Sequence, residues 1–454
     1  MRRGAWLAIA ALVVVAAGVT LLALPKGPEW TTSSPEALEE FQAAMEAQMK
    51  LYFWEAEKHF RRAYELDPDF LMAKLMYSDF VRREDKDRAK ELWEEVLAAD
   101  TSKLTPRERY FIERSRAYHD ERPEDSARIL DEYVAMYPDD PYILNEKALR
   151  TWQQGDLEKA ERLYQRLIEI SPNWVIAYNQ LGYITMAQGR LTEAEEYFKS
   201  YRFIAPDQAN PHDSLGELFI ILGRYDEAEE SLEKAMEIKP DFWASYQHMA
   251  LMKAFTGDIE GARETIERAK AAEAPEHLVV NIDCLAHYAE LAQKEAWQQV
   301  LGQRDSDCVK GFKEGYPAVI THLAACRVGE LEIARGIEAE AADLLKKIQE
   351  SRDEKTIMVL KGAINHMEGV RLASQGDLIG AEERLRAADK GLTFMEAGTG
   401  WFKLYNRVFL VEVLLAEGKD AEAHRLLGNV RSVNSAMVAQ FEDDSLKVLG
   451  LGPG

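Results

Sequence analysis

Between Pro141 and Glu276 large apolar residues recur every three to four positions, and the order of apolar, small and polar positions repeats every 34 residues. Apolar residues at that spacing line one face of a helix. Two such stretches fall in each repeat, parted by Gly155, Gly189, Gly223 and Gly257. Glycine reaches the left-handed backbone that ends a helix, so each of these positions predicts a turn between two helices. Ala160, Ala194, Ala228 and Ala262 follow the glycines, and Tyr164, Phe198, Leu232 and Ile266 follow the alanines. Upstream, Leu144, Tyr178, His212 and Tyr246 precede the small residues Ala148, Gly182, Gly216 and Ala250. Small positions let paired helices approach closely. Asp156, Glu158, Glu193, Asp226 and Glu260 open the second helices, where they complement the positive end of the helix dipole. Pro172, Pro206 and Pro240 close three units, and Pro275 stands one residue late in the fourth; proline disfavours helix in the residue before it. One hairpin cannot cover its own apolar faces, so the expected fold is all-α, with helical hairpins stacked into a solenoid.

This sequence of large, small, alanine, bulky residue and proline resembles the tetratricopeptide repeat (TPR). The resemblance implies that the first helix of each unit lines a concave groove. It also implies that the second, fifth, ninth and twelfth positions of that helix face a bound protein or extended peptide. The fifth positions are Asn145, Asn179, Asp213 and Gln247, with Tyr142, Trp152, Tyr183, Met186 and Glu217 around them. Carboxamides both donate and accept hydrogen bonds, which suits a peptide backbone. No lysine or arginine stands in these positions, so the basic clamp with which some family members hold a terminal carboxylate is not expected. The alternative for this row is a plain solvated face.

Looser copies of the pattern precede the strict region at Ala56, Phe60 and Ala63, at Ala89, Trp93 and Val96, and at Ser126, Leu130 and Tyr133. The solenoid is therefore expected over 37–276, in about seven units of which three are degenerate, with 141–276 the best. Residues 277–454 read as a C-terminal helical region. Degenerate repeats reappear there at Gly369, Gly376, Ala381, Leu385 and Ala388, and at Gly418, Ala423, Leu427 and Val430. Between them a loop over Gly391–Gly400 exceeds the normal period, and the tail after Asp444 is expected to cap the array.

The run from Gly4 to Leu24 carries no charge. At about 1.5 Å per residue, a helix of roughly 20 residues spans a bilayer. Residues 1–28 are thus expected to form a signal anchor and transmembrane helix, with 29–36 as linker. Arg2 and Arg3 precede the run, so the positive-inside bias puts the amino end in the cytoplasm and the repeats on the periplasmic side of a bacterial inner membrane. Cleavage would instead give a soluble periplasmic binding module, although Ala23-Leu24-Pro25 is a poor exit site.

The net charge of −23 repels phosphate backbones and argues against nucleic acid as a partner. Cys284, Cys308 and Cys326 form no CxxC pair. They allow one disulfide in any of three pairings, or buried free thiols. HExxH, GxSxG and phosphate-loop motifs are absent. No catalytic residue, metal or cofactor is expected, and the chain reads as a membrane-anchored scaffold that binds a partner protein. The enzyme alternative is confined to 277–350, with Asp283, Cys284, His287 or Cys308 as its residues.

Overall fold

Helical hairpins follow one another along the chain, and their ends fall where the sequence marks them. The computed structural model describes residues 29–443 apart from 83–84, 121, 311–315 and 352–353. The expected membrane helix and the tail after Asp444 lie outside the described residues. Among the described residues every regular element is helical, and no helix is long and apolar enough to cross a membrane.

The chain divides into two compact units, one ending at Met136 and the other beginning at Tyr137. The first contains α1 (Pro35–Met49), α2 (Phe53–Leu66), α3 (Leu71–Val81), α4 (Lys86–Ala98), α5 (Pro106–His119) and α6 (Pro123–Met136). Phe41 packs against Trp30, Phe60 and Phe70 at its centre, with ring centroids 4.8–5.5 Å apart. Residues 29–36, expected as a linker, are docked here. Trp30 is buried, and Thr31 donates from both its backbone N and its Oγ1 to the carboxylate of Glu108, each at 2.6 Å. Glu108 closes the capping box of α5 with Thr105, so one buried carboxylate serves both the helix start and the irregular segment at Thr31.

The second unit begins with four hairpins: α7 (Pro141–Gln153) with α8 (Leu157–Ile170), α9 (Val175–Ala187) with α10 (Leu191–Ile204), α11 (Ala209–Ile221) with α12 (Tyr225–Ile238), and α13 (Trp243–Phe255) with α14 (Ile259–Ala271). The four register glycines have φ between 68° and 85°, the left-handed turn predicted for them. Gly182 lies against the ring of Phe198 and Gly216 against Leu232, so the small position of each first helix receives the bulky position of its second. There follow α15 (Glu276–Gln293), α16 (Trp297–Gly302), α17 (Asp307–Lys310), α18 (Tyr316–Val328), α19 (Leu331–Ser351), α20 (Glu354–Ser374), α21 (Leu378–Gly391), α22 (Ala397–Ala416), α23 (Asp420–Val433) and α24 (Ser435–Asp443).

One expectation is corrected here. The helices beyond 277 continue the stack, since α15 packs on α13 and α14 and one apolar cluster joins residues from Met186 to Val438. The excess over the period between Gly391 and Gly400 is mostly helix. Only 392–396 form a loop, and α22 is 20 residues long against 13 for α7, α9, α11 and α13. Its added turns reach α11, where Gly400 sits so close to Ile221 that a Cβ would fall 2.8 Å from Cδ1.

Candidate functional site

The first helices of the second unit carry the predicted row, and its members meet different fates. Asn145 on α7 and Gln247 on α13 are half-buried. Tyr142 and Trp152 flank Asn145 and are also half-buried, with Tyr142 edge-on to Trp174 at 4.9 Å. Asn179 and Asp213 lie inside the stack. Asn179 Oδ1 accepts from Ser214 Oγ at 2.9 Å, and Asp213 Oδ1 accepts from Ser245 Oγ at 2.8 Å. Each ties its own repeat to the next one. Met186 is fully buried in the apolar core. Reading all nine residues as a peptide-facing surface is therefore corrected for Asn179, Met186, Asp213 and Glu217, which packing and internal hydrogen bonds withhold from solvent.

Glu217 is the centre of a polar cluster. Its Oε2 accepts from Tyr183 OH at 2.7 Å, its Oε1 accepts from the backbone N of Ala397 at 2.7 Å, and His248 Nε2 stands 3.6 Å from Oε1. His248 Nδ1 lies 3.1 Å from Asp213 Oδ1. Burial lowers the affinity of His248 for its proton, but the carboxylates of Asp213 and Glu217 outweigh it and hold the pKa at about 10. Burial likewise raises the Glu217 carboxyl, opposed by His248 and by the hydrogen bonds from Tyr183 and Ala397. A cationic imidazole between two buried carboxylates satisfies charges that would each be costly alone. The acceptor offered to Ala397 occupies the place of a cap at the amino end of α22.

Sequence reasoning missed His248 and the segment 394–401. His248 is a lone histidine beside a predicted groove residue, and no spacing marks it. Chemically the cluster is a structural lock. Among the described residues no group of three or more histidine, cysteine, aspartate or glutamate side chains is arranged to hold a metal ion.

The residues of the enzyme alternative are placed as follows. Cys284 and Cys308 form a disulfide, so neither is a thiol nucleophile in this state. His287 Nε2 lies 2.7 Å from Gln303 Oε1. Cys326 is a buried free thiol with its Sγ 3.9 Å from His322 Nδ1, and burial pushes its pKa up to about 12. Such a thiol is inert at neutral pH. His322 Nε2 is held at 2.9 Å by Glu338, which also accepts from Arg371 at 2.8 Å.

Residues 114–174 and 175–241 each match a family model described as tetratricopeptide repeat. No curated protein matches the chain. Among solved structures it is similar to human IFIT1, in a dimer with m7Gppp-AAAA, at 14% identity over 93% of this chain and 96% of that one, with a TM-score of 0.45. It is similar to the APC/C hetero-tetramer Cut9-Hcn1 at 12% identity, covering 90% and 75%, with a TM-score of 0.42. A tetratricopeptide repeat protein from Parabacteroides merdae ATCC 43184 aligns at 16% identity over 56% of this chain and all of that one, with a TM-score of 0.37.

Proposed function

As this chain is a tetratricopeptide-repeat protein, we infer that it is a scaffold whose second unit binds a partner protein or an extended peptide on the first-helix face over α7 and α9. The observation that carries this reading is the contrast along the row. Tyr142, Asn145 and Trp152 remain partly open to solvent, whereas Asp213 is buried against Ser245 and His248 and Glu217 is covered by the chain's own segment at Ala397. Carboxamide and aromatic side chains on rigid helices offer a preformed surface, so ordering entropy is lost on the partner's side alone. The acidic surface favours a protein over a nucleic acid. Repeats of this kind are usually non-catalytic, and no enzyme family matches the chain.

We further propose that the chain is held in a bacterial inner membrane by Gly4–Leu24, with the repeats in the periplasm. The Cys284–Cys308 bond supports this, since disulfides persist in oxidising compartments. An amino terminus at Met1 or Arg2 in the mature protein is the expected result; one beyond residue 24 replaces the anchor with a soluble periplasmic module. The groove is tested by the variant Tyr142→Ala with Asn145→Ala, both outside the buried lock. Quantitative capture from solubilised membranes, with partners identified by mass spectrometry, should drop about tenfold at unchanged helicity. Equal capture by the variant would sink the groove reading.

A further inference from the structure

On the last turn of α10 the repeat pattern turns inside out. Two positions of the second helix read Ile168-Glu169 in the repeat before and Met236-Glu237 in the repeat after, an inward apolar residue followed by an exposed acid. In α10 the same two positions are Arg202 and Phe203. Phe203 is 86% exposed, more than any other large apolar side chain among the described residues. Lys199 replaces Gln165 and Glu233 of the neighbouring repeats. Residues 199, 202 and 203 share one helix face, because their spacing is three and four.

That face borders an open cavity of about 840 Å³, walled by Tyr178 of α9, by Lys199, Arg202, Phe203 and Ile204, and by Pro206 and His212 at the entry to α11. His212 Nε2 donates to the Pro206 carbonyl at 3.0 Å, which fixes the ring against the wall. Burial lowers the pKa of His212, so the cations of the cavity are Lys199 and Arg202. Lys199 is shared with Glu195 at 2.8 Å, whereas Arg202 has no acidic partner among the described residues. In a chain of net charge −23 this is a local reversal of sign beside exposed aromatic surface.

We propose that this cavity is a second docking site, separate from the first-helix face, for an acidic segment of a partner protein in which a carboxylate neighbours a large apolar side chain. Arg202 takes the carboxylate, and its planar fork suits two parallel hydrogen bonds. Phe203 and Tyr178 cover the apolar side chain. Lys199 adds attraction that salt screens. An acidic partner is favoured by charge complementarity, because Arg202 is the cavity's cation without an acidic partner among the described residues and Lys199 adds to it despite its ion pair with Glu195.

The experiment is isothermal titration of the full-length chain with acetyl-Gly-Phe-Glu-Asp-Gly-amide and with its Gln-Asn counterpart, at low and at high salt. The acidic peptide should bind and the uncharged one should not. Arg202→Glu should weaken binding about tenfold or more, and Phe203→Ser several-fold, with circular dichroism checking that helicity is unchanged in each. Tyr142→Ala with Asn145→Ala should leave it unaltered, which separates this site from the groove. Absence of binding, equal binding of both peptides, or indifference to Arg202→Glu and Phe203→Ser would overturn the proposal. Self-association in sedimentation that Arg202→Glu abolishes would overturn it in favour of a second copy of the chain as occupant.

Discussion

His366 is buried among Phe402, Tyr405 and Phe409, with Nδ1 2.9 Å from Asn406 Oδ1. Asn406 in turn donates to the carbonyl of Leu385 at 3.0 Å, so the amide is oriented and the imidazole must give its proton to Oδ1. Burial pulls the pKa of His366 down to about 4, and the hydrogen bond to Asn406 opposes this without reversing it. In the unfolded chain an imidazole protonates near pH 6.5. Between that value and pH 4 the unfolded state binds more protons, so stability falls as pH falls through this window. His248 has the opposite sign. Its folded pKa of about 10 lies above the unfolded value, so its contribution is complete below pH ~6.5 and is lost as pH rises towards 10. Melting followed by circular dichroism should peak near neutrality for the second unit. His366→Phe should lower stability by about 1–3 kcal/mol throughout, since Asn406 loses its donor, and should remove part of the acid slope. A slope unchanged between pH 6.5 and 5 would assign the acid limb to other groups.

At the level of helices and turns, Gly155 and Gly223 are the same device in different surroundings. Both are left-handed, with φ of 81° and 68°. A Cβ on Gly155 meets nothing within 4 Å, whereas one on Gly223 would overlap the side chain of Asn434. Asn434 Nδ2 donates to Ile221 O at 3.2 Å and to Tyr225 OH at 3.3 Å, fastening the start of α24 to the end of α11. Gly155→Ala should cost about 1–2 kcal/mol in urea unfolding, from backbone strain alone, and Gly223→Ala clearly more. Equal costs would mean that Asn434 fastens nothing. The turn glycines were legible because they repeat, as were the small-to-large pairs such as Gly182 with Phe198. Asn434 was not, because its partners lie more than 200 residues away and leave no period. Asn179 and Asp213 misled for a related reason: a polar residue on a first helix looks alike whether it meets solvent or the next repeat. Thr31 and Thr32 have the composition of a linker, yet their hydroxyls donate to the carboxylates of Glu108 and Asp67.

Within the second unit, taken whole, the array is closed on itself. An open solenoid couples each repeat to its neighbours only, and loosening at one end stays there. Here α11 is bonded to Ala397 across 180 residues of sequence and to Asn434 across 214. Between those two bonds Trp401 stacks on Phe255 of α13 at 4.2 Å and on Tyr405 at 5.3 Å, and it is 8% exposed. The long α22 therefore acts as a core strut for α11 and α13, which explains why part of the predicted row is unavailable to a partner. Trp401→Ala leaves a large void and should cost about 3–5 kcal/mol. The informative readout is its spread. Hydrogen exchange should speed up in α11 and α13 as well as in α22, while α8, which packs in a separate apolar cluster with α7 and α9, keeps its protection. Loss confined to α20–α24 would instead mean that the C-terminal helices dock on the repeats without bracing them, and the covered part of the first-helix face would then be open to competition by a partner.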